Sequence, residues 1–413
     1  MINEKLEFPG DKSISHRALI LGSLSSGLSK IYNLNIAQDI LSTINCLKKC
    51  GILIEIKSSY VAVAGNNFTE PASPLECGNS GTSARLLIGL LASRKIKAEF
   101  KGDKSLNDRP MERIVNPLKK MGLKILSNNG KLPISIYKSK ITGIDFDSNI
   151  SSAQIKSCIL LAGLGATSPT TYYEKIKSRD HTENMLEYLG VNIKRNNKIK
   201  ISPMLNTFKN FIITIPGDPS SAAFFAAAAA MLPNSSLKVK NILANPTRIG
   251  FYKILEKMGA YIKWSNLRFK FGEIVGDVSI RSNILNGINI DYRMVPSLID
   301  ELPIISVLAT QAESPTIVTG AEELRLKECD RIFALCQNLK EMGADVIEKK
   351  DGFIVYPGKR LHSANIKTYG DHRIAMAFSI AGLLTDRLNY IDNNDCINSS
   401  FPEFNKYLKK IIK

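Results

Sequence analysis

The chain is poor in the residues that hold most metal ions and disulfide frameworks. It has four widely spaced histidines, and its seven cysteines are odd in number and form no tightly paired motif. Such cysteines are typical of reduced thiols in the cytoplasm. Cys46 and Cys50 lie four residues apart, which suits two small apolar residues on the core face of a helix. The sequence therefore predicts a cytoplasmic protein without a metal site.

Long apolar runs and export signals are also lacking. The first ten residues carry charges but no apolar signal core. The longest apolar run, Ala222 to Leu232, is about half the length that a bilayer-spanning helix needs. We therefore expect no association with a membrane.

Aromatic residues make up only 7% of the chain, although its formal net charge is +17. A nucleic-acid binder shows basic runs interleaved with aromatic residues, whereas these lysines are spread along the chain. Most of the charge therefore indicates a solvated, lysine-rich surface. The arginines are different, because several stand at or near expected helix starts: Arg17, Arg85, Arg109, Arg331 and Arg373. Helix N-termini and guanidinium groups both attract anions, so we expect a pocket for a small, multiply charged anion.

What the chain does contain is an internal repeat. Six polar segments rich in Ser, Gly and Asp each lead into a run of small apolar residues, and their marker residues lie 67 to 77 residues apart. The segments are Asp11–Arg17, Asn79–Arg85, Ser151–Gln154, Asp218–Ser221, Val295–Asp300 and Tyr369–Arg373. A second marker recurs at a similar interval, at Gly51, Gly122, Gly190, Gly259 and Gly343, where a glycine suits the end of a helix. Two markers with a similar period predict six α/β units.

The length and the hydrophobic content favour two domains of three repeats each. A Pro-Gly break lies at Pro216-Gly217, and a matching one lies at Pro9-Gly10. If the first strand pairs with the last three repeats, the chain crosses between domains twice. We therefore expect a discontinuous domain of residues 1–11 and 218–413, an inserted domain of residues 12–217, and a hinge near 10–12 and 215–218.

The fifth repeat offers the strongest sign of acid–base chemistry. Asp300 and Glu301 lie within an apolar stretch from Val295 to Ala309, where a solvated face is a poor explanation for two carboxylates. Burial raises the pKa of a carboxyl group and nearby cations lower it, so such a pair can supply a general base. Further on, Lys327 and Arg331 are one helical turn apart, which favours a shared helix face with Glu328 beside them.

These motifs together resemble the 3-phosphoshikimate 1-carboxyvinyltransferase (EPSP synthase) family over nearly the whole chain. The matching segments are Gly10–Ser13 with Arg17, Gly78–Thr82 with Arg85, Asp108–Pro110, Ser152–Lys156, Arg179–Glu183, Asn245–Arg248, Ile299–Pro303, Lys327–Arg331 and Gly370–Arg373. Several match the class II branch, which is associated with glyphosate tolerance. The resemblance implies an α/β fold of two inverse α/β barrel domains, each with three repeats, that close over the substrates.

The resemblance also implies a reaction without a cofactor. The enolpyruvyl group of phosphoenolpyruvate moves to the 5-hydroxyl of shikimate 3-phosphate, and phosphate leaves. The residues implied for shikimate 3-phosphate are Lys12, Ser13, Arg17, Ser152, Ala153, Gln154, Ser178, Asp300 and Lys327. Those implied for phosphoenolpyruvate are Lys12, Gly81, Arg109, Gln154, Arg331 and Arg373. Asp300 is the implied base, and Glu328, with Lys12, the implied acid. The partners are then the two small substrates, with no nucleic acid, and the protein is expected to be a monomer.

Three alternatives stay open at the level of the sequence. UDP-N-acetylglucosamine 1-carboxyvinyltransferases share the fold but use a loop cysteine, and the stretch from Arg94 to Asn107 has none. An enzyme like the RNA-phosphate cyclases fits the charge but gives Asp300 and Glu328 no role. A noncatalytic scaffold leaves the charged helix starts unexplained.

Overall fold

The computed structural model describes residues 1–204 and 207–412, and the chain divides into two compact units. Unit 1 contains Met1–Pro9, Pro216–Phe269 and Ile274–Lys413, and unit 2 contains Gly10–Ile215 and Lys270–Glu273. The short stretch 270–273 is the one part of this division that lies far from the predicted boundaries. It forms the turn of a hairpin whose two strands belong to unit 1.

The first five repeats follow the order strand, helix, strand, helix, strand, strand, with one extra short helix in the second. The elements up to the second crossing are β1 (Asn3–Glu7), α1 (Lys12–Leu24), β2 (Leu28–Tyr32), α2 (Gln38–Lys49), β3 (Leu53–Ile56), β4 (Tyr60–Ala64), β5 (Leu75–Glu76), α3 (Gly81–Ser93), β6 (Ala98–Lys101), α4 (Lys104–Asp108), α5 (Glu112–Lys120), β7 (Ile125–Asn128), β8 (Lys131–Ile136), β9 (Asp145–Ser148), α6 (Ala153–Gly163), β10 (Thr170–Glu174), α7 (His181–Tyr188), β11 (Ile193–Arg195), β12 (Ile199–Ile201) and β13 (Ile212–Thr214).

The remaining elements repeat the pattern three more times, with a shortened last repeat. They are α8 (Pro219–Met231), β14 (Ser236–Leu243), α9 (Gly250–Lys257), β15 (Tyr261–Lys270), β16 (Glu273–Arg281), β17 (Asn289–Ile290), α10 (Leu302–Ala309), β18 (Thr316–Val318), α11 (Arg331–Glu341), β19 (Asp345–Lys349), β20 (Gly352–Tyr356), β21 (Asn365–Ile366), α12 (His372–Ala381), β22 (Tyr390–Ile391) and α13 (Phe404–Ile412).

The strands form small mixed sheets, one for each repeat. The strand orders in unit 2 are β13-β2-β4-β3, β5-β6-β8-β7 and β9-β10-β12-β11, and those in unit 1 are β1-β14-β16-β15, β17-β18-β20-β19 and β21-β22. In each sheet the first pair of strands is parallel. In most repeats the two parallel strands flank a helix in sequence, as β5 and β6 flank α3, which is the usual strand–helix–strand connection.

The first and fourth repeats exchange their first strands. The strand before α1 is β1, yet it pairs with β14, so that Asn3 lies opposite Ser236. The strand before α8 is β13, and it pairs with β2, so that Ile213 lies opposite Ile31. Each unit is therefore completed by a strand from a distant part of the chain, which explains why unit 1 is discontinuous in sequence.

The polar segments begin helices in five of the six repeats. Asp11, Ser80, Ser152, Asp218 and Asp371 each stand at a helix N-cap and accept a hydrogen bond from a backbone N–H of the first turn. In the fifth repeat the helix also follows the polar segment, but without a side-chain cap. There Val295–Ser297 is a 3-10 helix, the α-helix begins only at Leu302, and its N-cap position is Glu301 without a side-chain cap. Pro303 in the first turn suits a helix start at that point.

The five glycine markers end the second helices, as the sequence predicts. Gly51, Gly122, Gly190, Gly259 and Gly343 have φ angles between 85° and 108°. Such a left-handed residue just after a helix is strained for any side chain. At Gly51 a Cβ atom would also lie 2.7 Å from the carbonyl oxygen of Asn67.

The helices after the polar segments are almost wholly buried. In α8 every residue from Pro219 to Ala230 is buried, because the segment is built largely of alanine and phenylalanine. Within the described ranges, no helix is both long and apolar enough to cross a membrane. Burial of these helices fixes their polar starts, where several of the candidate functional residues lie.

Candidate active site

Arg17 is the most buried cation in the first repeat. It lies on α1, one turn after the cap in which Asp11 accepts a hydrogen bond of 2.8 Å from the N–H of Ile14. Its Nε donates to Thr182 Oγ1 at 2.7 Å, its Nη2 to Ser157 Oγ at 2.6 Å, and its Nη1 to the carbonyl of Ser13 at 2.9 Å. Burial lowers the pKa of Arg17 to about 10, against the raising effect of Glu183. The group therefore remains a cation at neutral pH.

Lys12 lies at the first position of the same helix and pairs with α2. Its Nζ is 2.9 Å from Asp39 Oδ2, and both side chains are largely buried. His16 lies one turn further along the same helix. It is fully buried, and its Nδ1 lies 2.8 Å from Thr43 Oγ1. Burial and the charges of Lys12 and Arg17 lower the pKa of His16 well below its ordinary value.

The starts of α3 and α6 are joined by Arg85 and Gln154. Arg85 Nη1 donates to Gln154 Oε1 at 2.7 Å, and Gln154 Nε2 donates to Thr82 Oγ1 at 2.9 Å. Glycine at position 81 permits this arrangement, because a Cβ there would lie 2.6 Å from Arg85 Nη1 and 3.5 Å from Arg109 Nη1. Gly81, Arg85, Arg109 and Gln154 thus form one cationic corner of unit 2.

Arg109 reaches this corner from the end of α4 rather than from a helix start. It stands at the C-cap of α4, and the next helix, α5, begins three residues later at Glu112. Its Nη2 donates to Asn79 Oδ1 and, at 3.3 Å, to Ser105 Oγ. Asn79 in turn donates to Asp103 at 2.8 Å. The side chain is therefore held by the polar segment that precedes α3.

Ser152 and Ser178 stand near a buried ion-pair cluster. Ser152 Oγ accepts from the N–H of Ile155 at 3.5 Å and so caps α6. Ser178 donates to Glu174 through both its N–H, at 3.0 Å, and its hydroxyl, at 2.7 Å. Lys156 Nζ lies 2.6 Å from Glu174 Oε1 and donates to the Ser178 carbonyl at 3.3 Å. Lys156 and Glu174 therefore hold the segment that carries Ser178 in place.

In unit 1 the central cation is Arg331, the first residue of α11. Its side chain is 1% exposed and contacts three carboxylates. Its Nε donates to Asp371 Oδ2 at 2.7 Å, its Nη2 to Glu328 Oε2 at 2.7 Å, and its Nη1 to Asp300 Oδ1 at 3.5 Å. Burial opposes the charge of Arg331, but the three carboxylates outweigh it, so its pKa is raised above the ordinary value.

Asp300 also lies close to Arg373. Arg373 Nη2 is 3.9 Å from Asp300 Oδ2, and the Arg373 backbone N–H donates to the cap residue Asp371 at 2.8 Å. The side chains of Asp300 and Glu328 are 17% and 20% exposed. Two partly exposed carboxylates and two buried guanidinium groups therefore form one cluster.

The neighbouring carboxylates Asp300 and Glu301 have different partners. Glu301 is buried and accepts a hydrogen bond from Ser220, and its Oε1 lies 4.0 Å from Arg248 Nη1. Arg248 also lies 3.0 Å from Asp218 Oδ1. The polar segment of the fourth repeat thus belongs to a buried structural network of unit 1.

The geometry around Lys327 corrects another expectation. Lys327 and Arg331 do not share a helix face, because Glu322–Leu326 is a 3-10 helix, Lys327 is its extended C-cap, and α11 begins at Arg331. Lys327 is half-buried. Glu328 reaches Arg331 from the extended segment, across an i, i+3 spacing.

One group of side chains could offer ligands to a metal. Asp180, His181 and Glu273 bring one potential ligand atom each to within 4.8 Å of one another. His181 Nδ1 already lies 2.7 Å from Glu273 Oε1, which is a hydrogen-bond distance. An acidic cluster of this kind is also common as a plain structural pair, and we assign it no metal.

Comparison with known proteins identifies this architecture. The family model of EPSP synthase (3-phosphoshikimate 1-carboxyvinyltransferase) matches residues 1–408. The chain belongs to the EPSP synthase family. A 3-phosphoshikimate 1-carboxyvinyltransferase of Sulfurihydrogenibium sp. (strain YO3AOP1) is 44% identical, over 100% of this chain and 98% of its own length. One of Petrotoga mobilis (strain DSM 10674 / SJ95) is 43% identical, over 99% of this chain and 97% of its own.

Two solved structures have the same fold. The EPSP synthase of Acinetobacter baumannii superposes with a TM-score of 0.87 at 38% identity, covering 99% of this chain and 95% of its own. The enolpyruvyl transferase NikO of Streptomyces tendae has a TM-score of 0.76 at 13% identity, covering 100% and 94%. The expected fold class, the enolpyruvyl transferase fold with repeated α/β units in two domains, is therefore confirmed.

Within this EPSP synthase fold, the expected site residues lie in two groups. Lys12, Ser13, Arg17, Gly81, Arg109, Ser152, Ala153, Gln154 and Ser178 are in unit 2, and Asp300, Lys327, Glu328, Arg331 and Arg373 are in unit 1. Sequence reasoning missed the residues that hold them, notably Asp39, Glu174 and Asp371 as ion-pair or hydrogen-bond partners. For Asp371 the sequence did carry a signal, namely its predicted place at a helix start. A carboxylate at a helix N-cap can also bind an arginine at the start of a neighbouring helix.

Proposed function

We propose that this chain transfers the enolpyruvyl group of phosphoenolpyruvate to the 5-hydroxyl of shikimate 3-phosphate and releases phosphate. The observation that carries the proposal is the cluster around Arg331. A buried guanidinium holds Asp300 and Glu328 at 3.5 and 2.7 Å, and Arg373 lies 3.9 Å from Asp300. A reaction that both removes and adds protons beside an anionic substrate needs this combination of carboxylates and cations.

The cations of unit 2 are suited to the charged groups of the substrates. Arg17 and Ser13 bind the carboxylate of shikimate 3-phosphate, and Ser152, Ala153 and Ser178 bind its phosphate. The N-terminus of α6 supports that second role, because the first N–H groups of a helix attract phosphate. A further group of residues contacts phosphoenolpyruvate or lies between the substrates: Lys12, Gly81, Arg109 and Gln154.

The carboxylates of unit 1 carry the proton transfers. Asp300 accepts the proton of the 5-hydroxyl as that oxygen bonds to C2 of phosphoenolpyruvate. Glu328, assisted by Lys12, donates a proton to C3, so the methylene becomes a methyl group. Lys327 contacts the hydroxyls of shikimate 3-phosphate, and Arg331 and Arg373 bind the carboxylate and phosphate of phosphoenolpyruvate.

The second half of the reaction restores the double bond. The C2–O bond to phosphate breaks, the methyl group returns one proton, and phosphate leaves with the electron pair. Arg331 and Arg373 stabilise the charge that collects on the departing phosphate. When the anionic substrate engages Arg331, negative charge also approaches Glu328 and favours its protonated form, which is the form that an acid needs.

A phosphate-release assay tests the proposal. We expect release with phosphoenolpyruvate plus shikimate 3-phosphate and none with phosphoenolpyruvate plus UDP-N-acetylglucosamine. The variant Asp300→Asn should lower kcat by about 100- to 10,000-fold, the usual size of an acid–base contribution, with little change in either KM.

Glu301→Gln is the matched control, because Glu301 is the next residue but belongs to the network of Ser220 and Arg248. It should keep kcat, measured per folded molecule, within about threefold. No phosphate release by folded wild-type protein refutes the function. An unchanged kcat in Asp300→Asn removes Asp300 as the base.

We also propose that the protein acts as a monomer in the cytoplasm. All the residues assigned above belong to one chain, so the reaction needs no partner subunit. Sedimentation of the purified protein at micromolar concentration tests the monomer.

A further inference from the structure

Arg17, Ser157 and Thr182 form a closed set of hydrogen bonds, which we call the Arg17 triangle. Arg17 donates to Thr182 Oγ1 and to Ser157 Oγ at 2.7 and 2.6 Å, and the two hydroxyl oxygens are 2.7 Å apart. The three residues come from α7, α6 and α1, and all three are buried. The guanidinium plane is therefore held from two elements besides its own helix.

We propose that Thr182, together with Ser157, is a positioning residue that orients Arg17 toward the carboxylate of shikimate 3-phosphate. This rests on the proposed function, and it names a further determinant of the same site. A guanidinium has five N–H donors. The three hydrogen bonds of Arg17 to described residues use three of them, so two donors remain for an anion.

The choice of hydroxyl groups as acceptors matters for binding. All three acceptors of Arg17 are uncharged oxygens, two from hydroxyls and one from a carbonyl. A carboxylate in the same place would hold the side chain equally well but would compete with the carboxylate of the substrate. Two hydroxyls fix the geometry and leave the positive charge to the ligand.

Polar contacts of both neighbouring residues fix the position of Thr182. The next residue, Glu183, lies 2.8 Å from Lys156 Nζ, and both side chains are 1% exposed. The preceding residue, His181, contacts Glu273 at 2.7 Å. The first turn of α7 is thus fixed at three successive residues, and Thr182 is the one that faces Arg17.

Thr182→Val tests the proposal, because it keeps the shape of the side chain and removes the acceptor. Loss of a hydrogen bond to a charged group should raise the KM for shikimate 3-phosphate by about tenfold to a hundredfold. The KM for phosphoenolpyruvate and kcat should stay within about twofold, as expected for an interaction made equally in ground and transition states. Thr182→Ser, which restores the hydroxyl, should return the KM to near the wild-type value.

Calorimetric titration with shikimate 3-phosphate alone gives a readout that does not depend on turnover. Thr182→Val should weaken binding by the same factor as it raises the KM. Ser157→Ala removes the other hydroxyl, so it should produce the same selective loss of affinity for shikimate 3-phosphate. It replaces Thr182→Val as the test if that variant does not fold.

The matched control is Thr170→Val in unit 2. Thr170 is fully buried, and its hydroxyl has no hydrogen-bond partner among the described residues. This variant should leave both KM values unchanged. Normal affinity for shikimate 3-phosphate in both Thr182→Val and Ser157→Ala overturns the inference, as does an equal loss for both substrates that Thr182→Ser does not reverse. Failure of the wild-type protein to release phosphate rejects the proposed function instead.

Discussion

Lys156 offers a direct test of how the interior of unit 2 is held. Its ammonium lies 2.6 Å from Glu174 and 2.8 Å from Glu183, and the three side chains are 1%, 5% and 1% exposed. Removing one partner of a buried ion pair typically costs about 3–5 kcal/mol, because the other charge stays buried. Here one cation pairs with two carboxylates, so Lys156→Met should lower the free energy of unfolding of unit 2 by about 5 kcal/mol, the upper end of that range.

The cost should depend on pH in a definite direction. Burial opposes the charge of Lys156, but Glu183 and Glu174 outweigh it and raise its pKa above 10.5. The contribution of Lys156 is therefore fully present below pH 10.5 and is lost only as the pH rises through the folded-state pKa. In Lys156→Met the two buried carboxylates have lost their cation and are less costly to bury when protonated. The loss of unfolding free energy should therefore be larger at pH 8 than at pH 5.

Unfolding should be followed in unit 2 by itself, because a chain of two units need not unfold in one step. Hydrogen exchange of the α6 and α7 amides reports the local free energy of opening. For a unit of about 200 residues, the expected loss lowers the melting temperature by roughly 10–20 °C.

The control is Lys198→Met, which breaks an exposed pair of the same unit, where Lys198 lies 3.2 Å from Asp147. Exposed pairs contribute little, so this variant should match the wild type within error. The double variant Lys156→Met, Glu183→Leu should recover part of the loss, because one of the two buried charges is gone. If Lys156→Met is as mild as Lys198→Met, the buried cluster does not stabilise unit 2 as argued.

Two further predictions concern Arg373 and His16. Arg373→Ala should raise the KM for phosphoenolpyruvate by about tenfold or more, while the KM for shikimate 3-phosphate changes less. Steady-state kinetics with each substrate varied in turn check this prediction. A KM for phosphoenolpyruvate equal to that of the wild type contradicts it. His16 is buried with its pKa well below 6.5, so below pH 6.5 the unfolded chain binds a proton that the folded chain does not. The free energy of unfolding of unit 2 should then fall with decreasing pH by up to about 1.4 kcal/mol per pH unit. In His16→Gln, denaturant unfolding should show a smaller change of this free energy between pH 6.5 and 5. The same pH dependence in the wild type and the variant excludes His16 as the cause.

The repeated fold was predictable because its signals are local. An Asp or Ser caps the helix that follows it, and a glycine such as Gly51 takes the left-handed conformation at the end of a helix. Both depend on a few neighbouring residues. The exchange of β1 and β13 between sheets depends on strands more than 180 residues apart in the chain, so the pairing of the first strand entered the domain prediction only as a condition.

The same limit applies to the candidate site. The residue types and the family motifs pointed to Asp300, Glu328 and Arg331, but their contacts arise from three separate segments, around residues 300, 328 and 371. In the fifth repeat a 3-10 helix occupies the first residues of the polar segment, Val295–Ser297, and the α-helix begins just after the segment, at Leu302. The side chains that hold the arginines, such as Thr182 and Asp371, were visible in the motifs, but their roles required the packing of helices from different repeats.

Arg17 and Arg331 show how one residue type can serve two purposes. Both are buried, but Arg17 donates to two hydroxyls and a carbonyl, whereas Arg331 donates to three carboxylates. Among residues 1–204 and 207–412, Arg17 donates hydrogen bonds to uncharged oxygens only, so an anionic ligand can gain from its charge. Arg331 contacts three carboxylates, so besides the phosphoenolpyruvate contact proposed above it holds Asp300 and Glu328 in place. Arg17 is therefore suited to bind an anion, whereas Arg331 also orients the carboxylates that we propose for proton transfer.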